Sequence, residues 1–137
     1  MHQQTINLKT AFLVFTLFIT AIGFGQVAVL NFKYQTVKFP KTNEGAKLHY
    51  IYEFSNDGKA DLEFYSFEAE CTCTEVKLPN SPIKPGESGR IEVSFDTNGK
   101  YYYQDRTIYL LTNTRKKREK IRFKVFVEPK PVATKQN

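Results

Sequence analysis

The stretch AKLHYIYEFSN, residues 46–56, decides the fold. On an extended chain Leu48, Tyr50, Tyr52 and Phe54 fall on one face, and Lys47, His49 and Glu53 on the other. Successive side chains of a strand point to opposite sides, so an apolar period of two marks a strand with one dry face and one wet face. GRIEVSFDT, residues 89–97, repeats the pattern, with Ile91, Val93 and Phe95 set against Arg90, Glu92 and Ser94. Further strands are expected over residues 30–39, 60–69, 105–111 and 119–127. The last of these alternates Ile121, Phe123, Val125 and Val127 with Lys120, Arg122 and Lys124. Turn chemistry fills the gaps as PKTNEG, NDGK, KPGESG, TNGK and TNTRKKR. Six or seven short strands separated in this way, with no helical period, predict an all-β fold: an antiparallel β-sandwich of about seven strands.

One strand breaks phase. In ADLEFYSFEAEC, Leu62 and Phe64 share a face while Phe67 and Cys71 lie on the other. This calls for a bulge or a change of sheet near Ser66, so both cysteines of the chain, Cys71 and Cys73, follow a distortion at the end of a strand.

The first residues read differently. MHQQTINLKT carries one lysine and no acid, and AFLVFTLFITAIGFG then runs uncharged to small residues. That order matches a secretory signal peptide over residues 1–25, with cleavage after Gly25. The competing reading is an uncleaved membrane anchor, since continuing through VAVL approaches spanning length. The expected organisation is therefore signal peptide 1–25, sandwich domain 26–128 and polar tail 129–137, with the protein exported to the periplasm or cell surface. Of the 20 basic residues only Lys9 lies in the signal segment, so the remaining chain stays basic against 14 acids. Export removes nucleic acid from consideration. An anionic envelope polymer or an acidic envelope protein is a better candidate partner than nucleic acid, with the membrane only if the segment is retained; a basic surface that serves solubility alone is commoner than either.

Several motifs occur together and in order: EG, FSNDGKADL, CTCTEV, PIKPGESGRIEVSFDTNGK and IYLLTN. Their succession resembles the bacterial exported family known as domain of unknown function 1573, over about residues 30–128. The resemblance implies an immunoglobulin-like sandwich and an envelope location, and it implies no catalytic activity. Where the family usually has glycine between its cysteines this chain has Thr72. The glycine usual after the F-D-T turn is replaced by Tyr101, Tyr102 and Tyr103.

Four features are candidates for chemistry or contact. Residues two apart on a regular strand cannot bring their Cβ atoms to disulfide distance, so bridging Cys71 to Cys73 needs a turned backbone. A loop of this length gives only about 1.6 kcal/mol of chain-entropy stabilisation. Three readings stay open for the pair: a reduced packing pair, a readily reduced disulfide, or a soft-metal site suited to monovalent copper. His49 lies on the wet face of its strand with no nucleophile pattern near it. Tyr101, Tyr102 and Tyr103 either stack on a partner or, in alternation, cover the core. Arg115, Lys116, Lys117 and Arg118 form a hairpin tip, either a solvated guard against edge pairing or a contact for an acidic surface. No acid–base pair or nucleophile constellation is legible. The expected function is a non-catalytic binding or structural module of the cell envelope that needs no cofactor. The alternative is a thiol-based copper-binding or redox accessory protein using Cys71 and Cys73.

Overall fold

A computed structural model describes residues 25–131. The expected signal segment, apart from Gly25, and the last six residues of the tail lie outside the described residues. Nine strands form two sheets: β1 Leu30–Phe32, β2 Thr36–Lys38, β3 Thr42–Asn43, β4 Lys47–Asn56, β5 Phe64–Ala69, β6 Thr74–Lys77, β7 Ser88–Asp96, β8 Tyr102–Thr112 and β9 Arg118–Glu128. One sheet has the order β1-β4-β7-β6. The other has the order β2-β9-β8-β5, with β3 also on β9.

The strands with clear alternation, β4, β7 and β9, lie where the period placed them. The expected strand over residues 30–39 is instead two. β1 pairs with β4 in the four-stranded sheet, and β2 crosses to run parallel to β9 in the five-stranded sheet. The break at residues 33–35 is held by backbone bonds to both sheets, Lys33 N–H to the Glu53 carbonyl and Arg122 N–H to the Gln35 carbonyl. β2 and β3 are the parallel members of an otherwise antiparallel sandwich. In β5 the register shifts between Phe64 and Ser66, so Tyr65 is the extra residue of a bulge. This sets Phe67 opposite Leu110, where its place on the edge strand leaves it exposed.

The core lies between the sheets and is built from the inward members of each alternation, including Tyr52, Phe54, Ile91, Phe95, Ile108, Leu110, Ile121 and Phe123. Aromatic edges link the layers. Phe95 and Phe123 stand 5.0 Å apart by ring centroid, and Phe39 meets Tyr50 at 6.2 Å. Pairs of this kind add about 0.5–1.5 kcal/mol beyond area burial.

Two buried polar residues tie the turns to this core. Asn56 is fully buried, and its Nδ2 donates to the carbonyls of Ala60 and Ile83, both at 2.8 Å. Its Oδ1 accepts from the N–H groups of Gly58 and Val29. Gly58 is packed so closely on Val27–Val29 that a Cβ would sit 2.4 Å from the Val27 carbonyl oxygen, so only glycine fits there. At the other end of β4, the buried Thr97 hydroxyl donates to the Ala46 carbonyl at 2.7 Å and fastens the turn that opens the strand.

Candidate functional site

The two cysteines occupy the corner where the chain leaves one sheet for the other. β5 ends at Ala69 on the edge of the five-stranded sheet, and β6 begins at Thr74 on the edge of the four-stranded sheet. Glu70–Cys73 make the crossing. Thr74 N–H donates to the Cys71 carbonyl at 3.2 Å and Asp96 N–H to the Cys73 carbonyl at 2.9 Å. The backbone therefore turns, as bridging requires, and Cys71 and Cys73 are joined as a disulfide with their Cα atoms 5.2 Å apart. Both are half-buried and pack against the core. The reduced packing pair is thus replaced by a bridged pair that still packs. Among the described residues no group of three or more His, Cys, Asp or Glu is placed to hold a metal ion.

Arg106 anchors the corner from the inner side of β8. Its Nη1 donates to Glu70 Oε2 at 3.1 Å and its Nη2 to Gln104 Oε1 at 2.7 Å. Gln104 Nε2 in turn donates to the Tyr101 carbonyl at 2.7 Å. This chain of bonds runs from the cystine corner to the tyrosine segment and places both toward one end of the sandwich. Nε of Arg106 is buried without a partner.

The tyrosines do not cover the core. Tyr101, Tyr102 and Tyr103 are 48%, 63% and 82% exposed. Tyr102 has φ of 63°, a left-handed backbone that costs a non-glycine residue about 1–2 kcal/mol. The irregular backbone at Tyr102 frees the run from strict alternation. Tyr103 lies edge-on to Phe126 at 5.1 Å, and Lys41 Nζ sits 5.8 Å from the Phe126 ring centre.

Arg115, Lys116, Lys117 and Arg118 are all exposed at the β8–β9 hairpin, at the far end of β8 from the tyrosines. Ten residue steps of strand separate the two groups, about 33 Å. Lys117 has φ of 60° and donates its N–H to the Thr114 carbonyl, closing the turn. Beneath it, Thr112, Thr114 and the nearly buried Glu119 form a hydrogen-bonded group that Lys116 covers at 3.6 Å. Arg118 bonds Glu68 at 2.6 Å and lies 3.6 Å over the Tyr109 ring. His49 is exposed on the four-stranded sheet, opposite Ser94.

Other residues matter that sequence reasoning did not single out. Phe126 and Tyr109 are the half-buried rings against which the exposed groups rest. Arg106 sits in the inward row of β8 between the buried Gln104 and Ile108. Asp105 accepts from Arg122 Nε at 2.6 Å and lies 3.3 Å from Lys124. The Arg122 guanidinium holds the Asp105 carboxyl below its ordinary value, with Lys124 adding to the effect.

These features define a small immunoglobulin-like or PapD-like β-sandwich with a bridged inter-sheet corner. The chain belongs to the family described as "Protein of unknown function (DUF1573)", whose model matches residues 30–127. Solved structures carry the same fold at low identity. A protein of unknown function from Porphyromonas gingivalis W83 is 17% identical with a TM-score of 0.65, covering 78% of this chain and 50% of that one. The chain therefore spans half the length of that relative. The ASH / PapD-like domain 7 of human CEP192 is 9% identical with a TM-score of 0.57, covering 77% of this chain and 88% of that one. Part of the VesB protease of Vibrio cholerae aligns at 13% identity and a TM-score of 0.52, over 87% of this chain and 35% of that one. No curated protein matches the chain in sequence.

Proposed function

We propose that the protein is an exported, non-catalytic binding module of the bacterial cell envelope. One observation carries the reading: three consecutive tyrosines stand exposed at the start of β8, one of them in a left-handed backbone. Strained backbone is kept where something over-determines it, commonly a contact site. Exposed tyrosines combine large area with a hydrogen-bonding tip, the composition of binding anchors. The apolar segment before Gln26 supports export.

The test separates folding from binding. Tyr102→Gly relieves the left-handed strain and is expected to hold or raise stability by up to about 1 kcal/mol. Tyr103→Ala removes the most exposed ring. Both variants are expected to lower retention of the purified chain on isolated envelope material at least fivefold, with thermal midpoints no lower than wild type. Retention equal to wild type in both variants would refute the reading. N-terminal sequencing of the exported protein is expected to begin at Gln26; an intact Met1 would contradict cleavage.

A second reading rests on the bridged corner. A disulfide beside an arginine and a carboxylate suits a thiol–disulfide accessory role, and reduction would free two thiolates for monovalent copper. Counting free thiols and bound metal on protein isolated from its native compartment decides it. Stoichiometric copper, or a mixture of thiol and disulfide forms, favours this reading over the first.

A further inference from the structure

The tyrosine end and the basic tip, read as separate features in the sequence, are joined by the outer face of the five-stranded sheet. Outward side chains of β9 run Arg118, Lys120, Arg122 and Lys124, then Phe126 and Glu128. The parallel register of β2 sets the exposed Lys38 directly beside Lys124. Alternate residues of a strand recur every ~6.7 Å, so the β9 cations form a row ~20 Å long, with Lys38 ~4.8 Å to its side. On this face those five cations, with Lys41 beside Phe126, meet three carboxylates: Asp105, Glu68, and Glu128, which pairs with Lys41. Lys38 and Lys120 form no ion pair among the described residues. The row ends at the Tyr103–Phe126 aromatic pair.

The opposite face shows that this is not the general habit of the protein. On the four-stranded sheet Lys33 pairs with Glu53, Lys47 with Glu75 and Lys77 with Glu92. Arg90 and Asp96 complete a face of balanced sign.

We propose that the outer face of β2, β9 and β8 binds an extended acidic polysaccharide, its repeated anionic groups lying along the cation row and a sugar ring resting on Tyr103 and Phe126. The proposal deepens the binding-module reading and rests on it. A row of evenly spaced cations on a flat sheet matches a linear polymer better than a compact anion. Each exposed contact is weak alone, and release of counterions from the polymer supplies the sum. The ring at the end of the row adds a surface that a sugar can stack on and a bare anion cannot use.

Binding of the purified full chain to polygalacturonate across a salt series tests this. Wild type is expected to bind, with affinity falling steeply as salt rises. Lys38→Gln with Lys120→Gln is expected to weaken binding at least tenfold and to reduce the salt slope by about one per cation removed. The charge-matched control on the other face, Lys33→Gln with Lys77→Gln, is expected to change affinity less than twofold. Tyr103→Ala is expected to lose at least fivefold for polygalacturonate and nothing for inorganic polyphosphate. Equal losses in the two lysine pairs would overturn the proposal, because attraction would then follow net charge alone. Tighter binding of polyphosphate, duplex DNA or anionic lipid vesicles than of polygalacturonate would also overturn it. So would absence of binding at low salt; retention on envelope material by the same sample would then show that the broader reading stands without it.

Discussion

The two outer faces of this sandwich are written in the same alternating code and differ in how they treat charge. On the four-stranded sheet, Glu53, Glu75 and Glu92 each have a lysine within 4 Å. Hydrogen bonds from Lys33 to Glu53, and from Lys47 and then Ser94 to Glu75, hold those carboxyls below their ordinary range. The five-stranded face has more cations than acids: Asp105 serves two cations, Glu68 and Glu128 take one each, and Lys38 and Lys120 have no ion pair among the described residues. Exposed pairs contribute little to stability, so the balance on one face and the surplus on the other are not explained by folding. The difference teaches that a solvated face and a contact face share one strand pattern and are told apart by pairing across strands.

The sheets are held in one body by a few inward groups, and removing these is expected to have the largest effects. Asn56→Ala leaves the Ala60 carbonyl and the Gly58 and Val29 N–H groups without the side chain that pairs them, and removes one of the two donors to the Ile83 carbonyl. A loss of about 3–5 kcal/mol is expected in urea unfolding, with both sheets lost in one transition. Two separate transitions would show that the faces belong to independently stable layers. Cys71→Ser with Cys73→Ser opens the edge corner and exchanges two packed sulfurs for hydroxyls. About 1–3 kcal/mol is expected, with the β-type circular dichroism unchanged, since so short a loop removes little chain entropy. A helical or unfolded spectrum would show the bridge to be essential to the fold.

These two sites also mark the limits of what the sequence shows. The alternations of β4, β7 and β9 are long, so their inner faces could be read directly. Asn56 reads as an ordinary turn residue because its burial depends on Ile83 and Val29, both 27 positions away. The break at residues 33–35 has no glycine or proline to announce it, and β6 is too short to display a period. The tyrosine run left two options open, and the exposure of Tyr101, Tyr102 and Tyr103 removes the core-covering one. Lys120, Arg122 and Lys124 were legible as the wet side of a strand. That Lys38 stands beside them depends on a parallel register between segments some 86 residues apart, which no local pattern encodes.

One hydrogen bond crosses the middle of the sandwich: Tyr52 Oη on β4 donates to the Arg122 carbonyl on β9 at 2.9 Å. Tyr52→Phe is expected to cost about 1 kcal/mol at neutral pH. Burial raises the folded pKa of Tyr52 well above its ordinary 10.0. In the unfolded chain Tyr52 ionises near its ordinary value while the folded chain keeps the proton, so stability is present below that pH and lost as pH rises past it. The gap between wild type and Tyr52→Phe is therefore expected to narrow above about pH 10. A constant gap would contradict the burial argument.

The smallest stability effects belong to the surplus face itself. Lys38→Gln with Lys120→Gln is expected to shift stability by no more than about 0.5 kcal/mol. Acid sharpens the contrast in binding. Asp105 has a depressed folded pKa, so its contribution to stability is present above its unfolded value and is lost as pH falls through the folded one. Once it is protonated, Arg122 and Lys124 are released, and affinity for a sulfated polysaccharide, whose charge persists, is expected to rise. Asp105→Asn is expected to abolish that rise; its persistence in the variant would assign the effect to another group.

Amide chemical-shift mapping of the labelled chain titrated with polygalacturonate tests the central claim most directly, because it reports both faces in one sample. Shifts are expected to concentrate at Lys38, at Lys120–Phe126 and at Tyr103, while His49, Ile51 and Glu92 stay unmoved. Shifts led by His49, Ile51 and Glu92, or spread evenly over both sheets, would contradict it.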